Sequence, residues 1–186
     1  MSAAVIIAFL LHLPVSHISN TGYEKKEIQE IRWVSIEEAM NQSAQNPKPI
    51  MIDFYTDWCG WCKKLDQTTY ADQDVIAYIN EHFYSVKFNA EQKEDIQFLG
   101  KTYSFVPSGG RGTHQFASQM ANRNGRIGYP TITFLDANGT RISAEGGYKD
   151  AAKMKNLMKY YAEGFYKEMN YNEFLTKQAE QKISAD

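Results

Sequence analysis

Apolar and polar positions divide the chain into segments of strand and helix length. Residues 50–55 are apolar except for Asp53, as is typical of a strand buried on both faces. Residues 83–88, with mixed patterning, are predicted to form a second strand, and residues 131–135 a third. A hairpin turn at residues 136–139 then leads into a further strand at 141–143.

Helical spacing of apolar residues fills the intervals between these strands. Ser35 and Glu38 form a capping-box pattern before a helix at residues 36–45, which Pro47 ends. Further helices are predicted at residues 60–68, after Asp72, at residues 114–121, after Asp150 and around Phe174. The helix after Asp150 carries one apolar stripe, which we interpret as core rather than as a binding surface. Strands and helices together predict an α/β fold.

The chain begins with an almost unbroken apolar run from Ala3 to Leu13. It is shorter than the roughly 20 apolar residues that span a bilayer. We interpret residues 1–19 as a signal peptide, and we therefore expect an exported, periplasmic protein. No Lys or Arg precedes the run and no Ala-x-Ala site follows it, so a buried N-terminal strand or helix is the alternative. The other predicted segments are an N-terminal arm (20–32), a main domain (33–163) and a C-terminal tail helix (164–186).

Composition restricts the class of protein. The chain has 186 residues, of which 43% are hydrophobic and 23% are charged, as in an ordinary compact soluble domain. Its formal charge is −2 and like charges form no blocks, so no nucleic-acid partner is expected. The aromatic content of 13% excludes a disordered chain.

The two cysteines, Cys59 and Cys62, stand three positions apart. A structural disulfide framework needs more cysteines at wider spacing. A structural zinc ion needs four ligands, and His82 and His114 do not lie at zinc-finger spacing from the thiols. The spacing therefore favours a reversible redox pair over a metal site.

The predicted helix at residues 60–68 suggests a role for each thiol. Thiol–disulfide exchange needs a thiolate, and the unpaired N–H groups at a helix N-terminus lower a thiol pKa. Cys59 opens this helix, and Cys62 lies one turn further along. We therefore expect Cys59 to attack and Cys62 to resolve the mixed disulfide.

The block from Ile52 to Lys63, which contains the run Trp58-Cys59-Gly60-Trp61-Cys62, resembles the strand–motif–helix segment of the thioredoxin superfamily. The resemblance extends from Trp33 to Tyr161. It implies a thioredoxin fold, with a mixed central sheet, helices on both faces and an insert before the strand of the cis-proline. It also implies a redox-active Cys59–Cys62 disulfide in place of a cofactor.

The resemblance assigns roles to two charged residues. Asp53 stands six positions before the first cysteine, where the family has a buried acid that moves protons to and from the resolving thiol. Burial raises a carboxyl pKa, which makes Asp53 a plausible general base for Cys62. The alternative is a paired structural carboxylate. Lys87 is similar in position to the family lysine near that acid, or else a strand-edge lysine in solvent.

Other motif residues surround the cysteine pair. Tyr129-Pro130 resembles the family's cis-proline dipeptide, which packs against the disulfide and pairs with the substrate backbone. Trp58 and Trp61 are expected to shield the cysteines and to offer substrates an apolar platform. The intervening dipeptide Gly60-Trp61 differs from the Gly-Pro of thioredoxin and the Gly-His of disulfide isomerases. The direction of electron flow therefore does not follow from the resemblance.

The segment between Asn89 and Pro130 is longer than the fold requires, and long inserts tend to be functional or disordered. Within it, residues 107–112 predict a Gly-rich loop. The Lys-Ser/Thr of a phosphate loop does not follow this loop. Residues 104–126 are thus either a contact for a substrate or partner or a decoration without a role in exchange.

The function favoured by these residues is reduction of protein disulfides through a Cys59/Cys62 dithiol–disulfide cycle. Electrons would come from a thiol donor, either in the membrane or in solution. A non-catalytic thioredoxin-fold binding module is the alternative from another class, because many such folds bind partners without catalysis. A disulfide isomerase or an oxidase remains the alternative within the same chemistry.

Overall fold

The computed structural model describes residues 29–184. The predicted signal peptide (1–19) and residues 20–28 of the predicted arm lie outside the described residues. The rest of the arm is attached to the domain: Ile31 is buried, and the Arg32 backbone N–H donates to Asn80 Oδ1 at 2.9 Å. None of the helices in residues 29–184 is long and apolar enough to cross a membrane.

Residues 29–184 contain nine strands and six α-helices. The strands are β1 (Trp33–Val34), β2 (Ile50–Tyr55), β3 (Tyr84–Asn89), β4 (Ile96–Phe98), β5 (Lys101–Tyr103), β6 (Phe105–Ser108), β7 (Arg111–His114), β8 (Thr131–Leu135) and β9 (Arg141–Gly146). The helices are α1 (Ile36–Gln45), α2 (Gly60–Gln67), α3 (Gln73–His82), α4 (Gln115–Met120), α5 (Ala151–Ala162) and α6 (Tyr171–Ile183). The elements of residues 36–82 and 131–183 therefore confirm the sequence-based assignments to within a few residues.

The central sheet has five strands in the order β1-β3-β2-β8-β9. β1 and β2 run parallel to β3, whereas β8 runs antiparallel to both β2 and β9. β2 is central and buried on both faces, which explains its continuous apolar run. The arrangement confirms the predicted mixed sheet with helices on both faces.

Successive residues of β2 serve two separate cores. Ile50, Ile52 and Phe54 belong to the core under α1 and α4. Met51 belongs to the core under α2, α3 and α5. Since side chains alternate along a strand, Asp53 points to the same face as Met51, toward α2.

The insert contains two short hairpins and a helix, and the prediction of a loop at residues 107–112 is wrong. These residues belong to a hairpin in which β6 pairs with β7 around a turn at Gly109 and Gly110, both with positive φ. A second hairpin, β4–β5, was not predicted at all. Both were missed because their strands have only three or four residues and little apolar alternation. The predicted helix at residues 114–121 forms α4, which packs Phe116 into the core.

Helix starts follow the predicted cap residues, with one correction. Ser35 accepts from the Glu38 backbone N–H, but the Glu38 carboxylate accepts from the Gln42 side chain instead of reaching back to complete a capping box. Asp150 caps α5 through the Lys153 N–H. The one complete capping box in residues 29–184 belongs to α6, between Asn170 and Glu173.

Asp72 is expected to stabilise α3 through its cap. Its Oδ1 accepts from the backbone N–H groups of Asp74 and Val75 at 3.1 and 3.0 Å. Asp72→Ala leaves both donors without that acceptor and should lower the free energy of unfolding by about 1 kcal/mol. Asp72→Asn keeps an acceptor oxygen and serves as the matched control. Urea unfolding measures both, and an equal loss in the two variants would contradict the cap.

Candidate active site

The two cysteines lie where the central strand meets its helix. β2 ends at Tyr55, a short turn follows, and Cys59 is the N-cap residue of α2. Cys59 and Cys62 form a disulfide with their Cα atoms 5.3 Å apart, and both side chains are buried. The pair therefore has the predicted position at a helix N-terminus.

Cys59 Sγ accepts a hydrogen bond from the Cys62 backbone N–H at 3.1 Å. We expect the same donor and the positive end of the α2 dipole to act on the Cys59 sulfur in the reduced protein as well. Both favour the thiolate over the thiol, because they stabilise negative charge at this atom. This environment is suited to the role of nucleophile, and the assignment of that role to Cys59 stays a prediction.

Asp53 and Lys87 form an ion pair on the face of the sheet that α2 covers. They are register partners on the neighbouring parallel strands β2 and β3, so their side chains point to the same face. Lys87 Nζ lies 3.2 Å from Asp53 Oδ2, and Asp53 is fully buried. Burial raises the pKa of Asp53 to about 6, although the Lys87 charge opposes the rise. The carboxyl can therefore gain and lose a proton near neutral pH.

Lys87 is shared by two carboxylates. Its ammonium also pairs with Asp66 on α2, a half-exposed residue that the sequence analysis did not single out. Burial lowers the pKa of Lys87, but Asp53 and Asp66 outweigh it, so the pKa is raised and the amine stays protonated. A cavity of about 410 Å³, lined among others by Asp66, Tyr70 and Lys87, lies against this pair.

Two polar atoms near this pair are buried without a hydrogen-bond partner in the described part of the chain. They are Asp53 Oδ1 and the Tyr70 hydroxyl. Burial raises the pKa of Tyr70 well above its usual range, so its hydroxyl stays protonated. Because Lys87 pairs with Oδ2 of Asp53, the Oδ1 atom takes no part in the ion pair and can bind a proton.

The peptide bond between Tyr129 and Pro130 is cis, as the resemblance implied. Pro130 is buried and directly precedes β8. Its carbonyl accepts from the Gly147 backbone N–H at 2.8 Å, which joins the turn to the end of β9. Tyr129 places its ring 6.1 Å from that of Trp58.

Two exposed tryptophans adjoin the cysteines in sequence, Trp58 before Cys59 and Trp61 before Cys62. Trp58 is 53% exposed and Trp61 is 58% exposed, so both offer apolar surface to a partner. Trp58 Nε1 donates to Glu91 Oε1 at 3.1 Å, while Trp61 packs against Tyr148. Gly60 has no backbone strain, and a Cβ there would meet nothing within 4 Å.

The sequence analysis missed several residues that contact these site residues. They are Asp66, Glu91, Arg111 and Tyr148. Only Asp66, four positions after Cys62 on the same helix, lies at a spacing that could have been noticed. No group of three or more His, Cys, Asp or Glu side chains within residues 29–184 is arranged to hold a metal ion.

The fold and the buried cysteine pair define a thioredoxin-fold protein with a dithiol–disulfide site. The family described as "Thioredoxin-like domain" matches residues 36–162, and the chain belongs to this family.

Curated relatives carry the same chemistry in their names. The chain is 30% identical over 129 residues to the thiol:disulfide interchange protein DsbD of Vibrio vulnificus, covering 67% of this chain but 18% of DsbD. It is 25% identical over 135 residues to the disulfide bond reductase DsbH of Chlamydia pneumoniae, covering 69% of this chain and 74% of DsbH. The chain thus spans only a small part of DsbD and most of DsbH.

Solved structures agree with the fold. A DsbH oxidoreductase superposes with a TM-score of 0.50 at 23% identity, covering 73% of this chain and 86% of that one. A thioredoxin-fold protein from Helicobacter pylori superposes with a TM-score of 0.51 at 18% identity, covering 75% and 84%.

Proposed function

We propose that the protein is a thiol–disulfide oxidoreductase that reduces disulfides in other proteins. The observation that carries the proposal is the Cys59–Cys62 pair at the N-terminus of α2, with the Cys62 N–H donating to Cys59 Sγ. The name of the DsbH relative, a disulfide bond reductase, supports the reducing direction.

The proposed cycle begins with the dithiol form. The Cys59 thiolate attacks one sulfur of a substrate disulfide, forms a mixed disulfide and releases the other substrate sulfur as a thiolate. Cys62 then loses its proton and attacks Cys59 Sγ, which releases the second substrate thiol and leaves the Cys59–Cys62 disulfide. The substrate gains two electrons, and a thiol donor must return the pair to the dithiol form.

Asp53 is proposed to accept the Cys62 proton. Its burial and a pKa of about 6 support this role, because a carboxylate is then present at neutral pH and binds a proton more readily than an exposed one. Lys87 would hold the carboxylate in place through the ion pair at Oδ2. No cofactor beyond the Cys59–Cys62 disulfide is proposed for this cycle.

Tyr129 and Pro130 are proposed to receive the substrate backbone beside the disulfide, with Trp58 as the adjoining apolar surface. The contact between the Tyr129 and Trp58 rings supports a continuous surface here. Export to the periplasm, and a membrane or soluble thiol donor there, are proposed from the apolar run at residues 3–13.

The reduction potential of the Cys59–Cys62 pair tests the proposal. Equilibration of the protein with glutathione or dithiothreitol buffers measures it, and reduction of insulin measures turnover. A potential of about −230 mV or lower is expected for a reductase. A value near about −120 mV would indicate an oxidant, and a pair without a reversible couple would indicate a non-catalytic binding module.

A further inference from the structure

The β6–β7 hairpin of the insert is tied to the strand that leads into the active site. The backbone N–H of His114, the last residue of β7, donates to the Ala90 carbonyl at 2.8 Å. The Ala90 N–H in turn donates to the carbonyl of Tyr55 at the end of β2, at 2.9 Å. The base of the hairpin therefore lies at the same end of the central sheet as the turn that leads to Cys59.

The base of the hairpin is firmly packed. His114 is buried, its ring lies edge-on to Phe88 at 5.1 Å, and its Nδ1 accepts from the Phe116 N–H at 3.2 Å. Gly112 is covered by Phe105, since a Cβ at Gly112 would lie 2.2 Å from an atom of that ring. Packing of this kind holds the hairpin in one orientation relative to the site.

The tip of the hairpin reaches the surface beside the disulfide. The Arg111 guanidinium carbon lies 4.9 Å from the centroid of the Trp58 ring, within the range of a cation–π contact. Trp58 is itself fixed, because its Nε1 donates to Glu91 and its ring meets Tyr129. Arg111 is thus held at the rim of the proposed substrate surface.

The charge of Arg111 has no partner of its own. Within residues 29–184 its side chain makes no ion pair and no hydrogen bond, so its N–H groups remain available. The neighbouring carboxylates have donors, since Glu91 accepts from Trp58 and Asp57 accepts from Asn89. Neither carboxylate takes up the N–H groups of Arg111, which therefore remain free to bind a carboxylate of a substrate.

A second cation lies over the other tryptophan. Lys64 Nζ is 5.4 Å from the centroid of the Trp61 ring and 5.7 Å from that of Tyr148. The two exposed rings next to the cysteines therefore each carry a positively charged side chain. A segment with acidic residues complements both charges and stacks against the same apolar surface.

We propose that the β6–β7 hairpin is a docking arm that selects protein substrates whose disulfide is flanked by acidic residues, with Arg111 as the specificity-determining residue. The inference rests on the proposed function and adds a substrate class to it. Arg111 binds a carboxylate of the substrate through its free N–H groups while Trp58 holds the guanidinium in position. Exposed Val106 on the opposite strand of the hairpin adds apolar contact area.

Two synthetic peptides test the docking arm. Each contains the same internal disulfide, flanked by glutamates in one peptide and by lysines in the other. The full protein in its dithiol form is mixed with each, and the readout is the ratio of the two second-order rate constants for this single turnover. The intact protein is expected to prefer the glutamate peptide by about five- to tenfold, and the preference should fall as ionic strength rises.

Arg111→Glu should reverse the ratio, and Arg111→Ala should bring it close to one. Lys101→Glu makes the same charge change on another exposed residue of the insert, whose amine lies over Tyr103 rather than over Trp58. It should keep the ratio of the unchanged protein. The docking arm would be overturned if Arg111→Glu had the same ratio as the unchanged protein. It would also be overturned if Lys101→Glu changed the ratio as much as Arg111→Glu does.

Hydroxyethyl disulfide, a small neutral substrate, separates this inference from the proposed function. If the unchanged protein reduces it but shows no preference between the peptides, the docking arm is wrong and the oxidoreductase stands. If the protein reduces neither hydroxyethyl disulfide nor either peptide, the proposed function itself is wrong and the docking arm is rejected with it.

Discussion

Cys59→Ser is expected to lower insulin reduction by at least on the order of 10³-fold, as the loss of a nucleophile does in other enzymes. A serine hydroxyl stays protonated at neutral pH and does not attack disulfides, whereas Cys59 Sγ faces the Cys62 N–H and the α2 dipole. Initial rates of insulin reduction with dithiothreitol as donor measure the loss.

Cys62→Ser is the matched variant, and it should block the second step of the cycle instead of the first. Cys59 can still attack, but no thiol remains to resolve the mixed disulfide, so a covalent complex with the substrate accumulates. Non-reducing electrophoresis detects this complex, and a reductant releases it. If Cys62→Ser trapped nothing while Cys59→Ser still turned over, the two roles would have to be exchanged.

Asp53→Asn is expected to slow resolution of the mixed disulfide by on the order of 10²-fold at pH 7.5, because the amide cannot accept the Cys62 proton. In the unchanged protein the rate of this step should rise with pH through about 6, as the buried carboxyl of Asp53 loses its proton. The variant should not show this rise. Single-turnover release of substrate from the mixed disulfide measures both profiles.

The same substitution is expected to change stability in the opposite sense. The pKa of Asp53 is about 6 in the folded protein against a reference value of 3.8. The protonated carboxyl therefore favours the folded state below pH 3.8, and that contribution is lost as pH rises through about 6. A difference of this size corresponds to about 3 kcal/mol. Asp53→Asn should consequently be the more stable protein at pH 8, by up to that amount.

Urea unfolding at pH 4 and pH 8 measures the effect, and the gap between variant and unchanged protein should nearly close at pH 4. Asp95→Asn alters an exposed carboxylate of the same type and is the control, with a small gap at both pH values. A gap for Asp53→Asn that did not depend on pH would show that Asp53 is ionised to the same extent in the folded and unfolded states.

Local patterns were sufficient for most of the central sheet and its helices. The apolar run of β2 and the cap residues Asp72 and Asp150 carry their structural information within a few positions of the chain. The position of Cys59 at a helix N-terminus follows from the same local signals.

The contacts of the site depended on register, which the local pattern does not contain. The pairing of Asp53 with Lys87 requires β2 and β3 to align so that these residues are opposite each other. The sequence around Lys87 did not indicate its second partner, because Asp66 lies on a helix that crosses above the sheet. The family resemblance identified Lys87 as a neighbour of Asp53, but it did not identify Asp66.

The insert was predicted least well for a different reason. Most of β6 is exposed and its partner is a four-residue strand, so no burial pattern marks the hairpin. The Gly109-Gly110 pair was a usable signal, since adjacent glycines favour a tight hairpin turn. The contact of Arg111 with Trp58 joins residues more than fifty positions apart and is visible only in the folded chain.

Stability is unevenly distributed between the last two helices. α5 buries five side chains, whereas α6 buries only Phe174, which packs against Tyr160 and Phe165. Opening of α6 therefore takes less free energy than unfolding of the sheet, and its amides exchange with solvent through a local rather than a global event. The strand, helix and cis-proline that hold the cysteines lie outside this unit. The redox centre therefore stays assembled when the C-terminal helix unfolds locally.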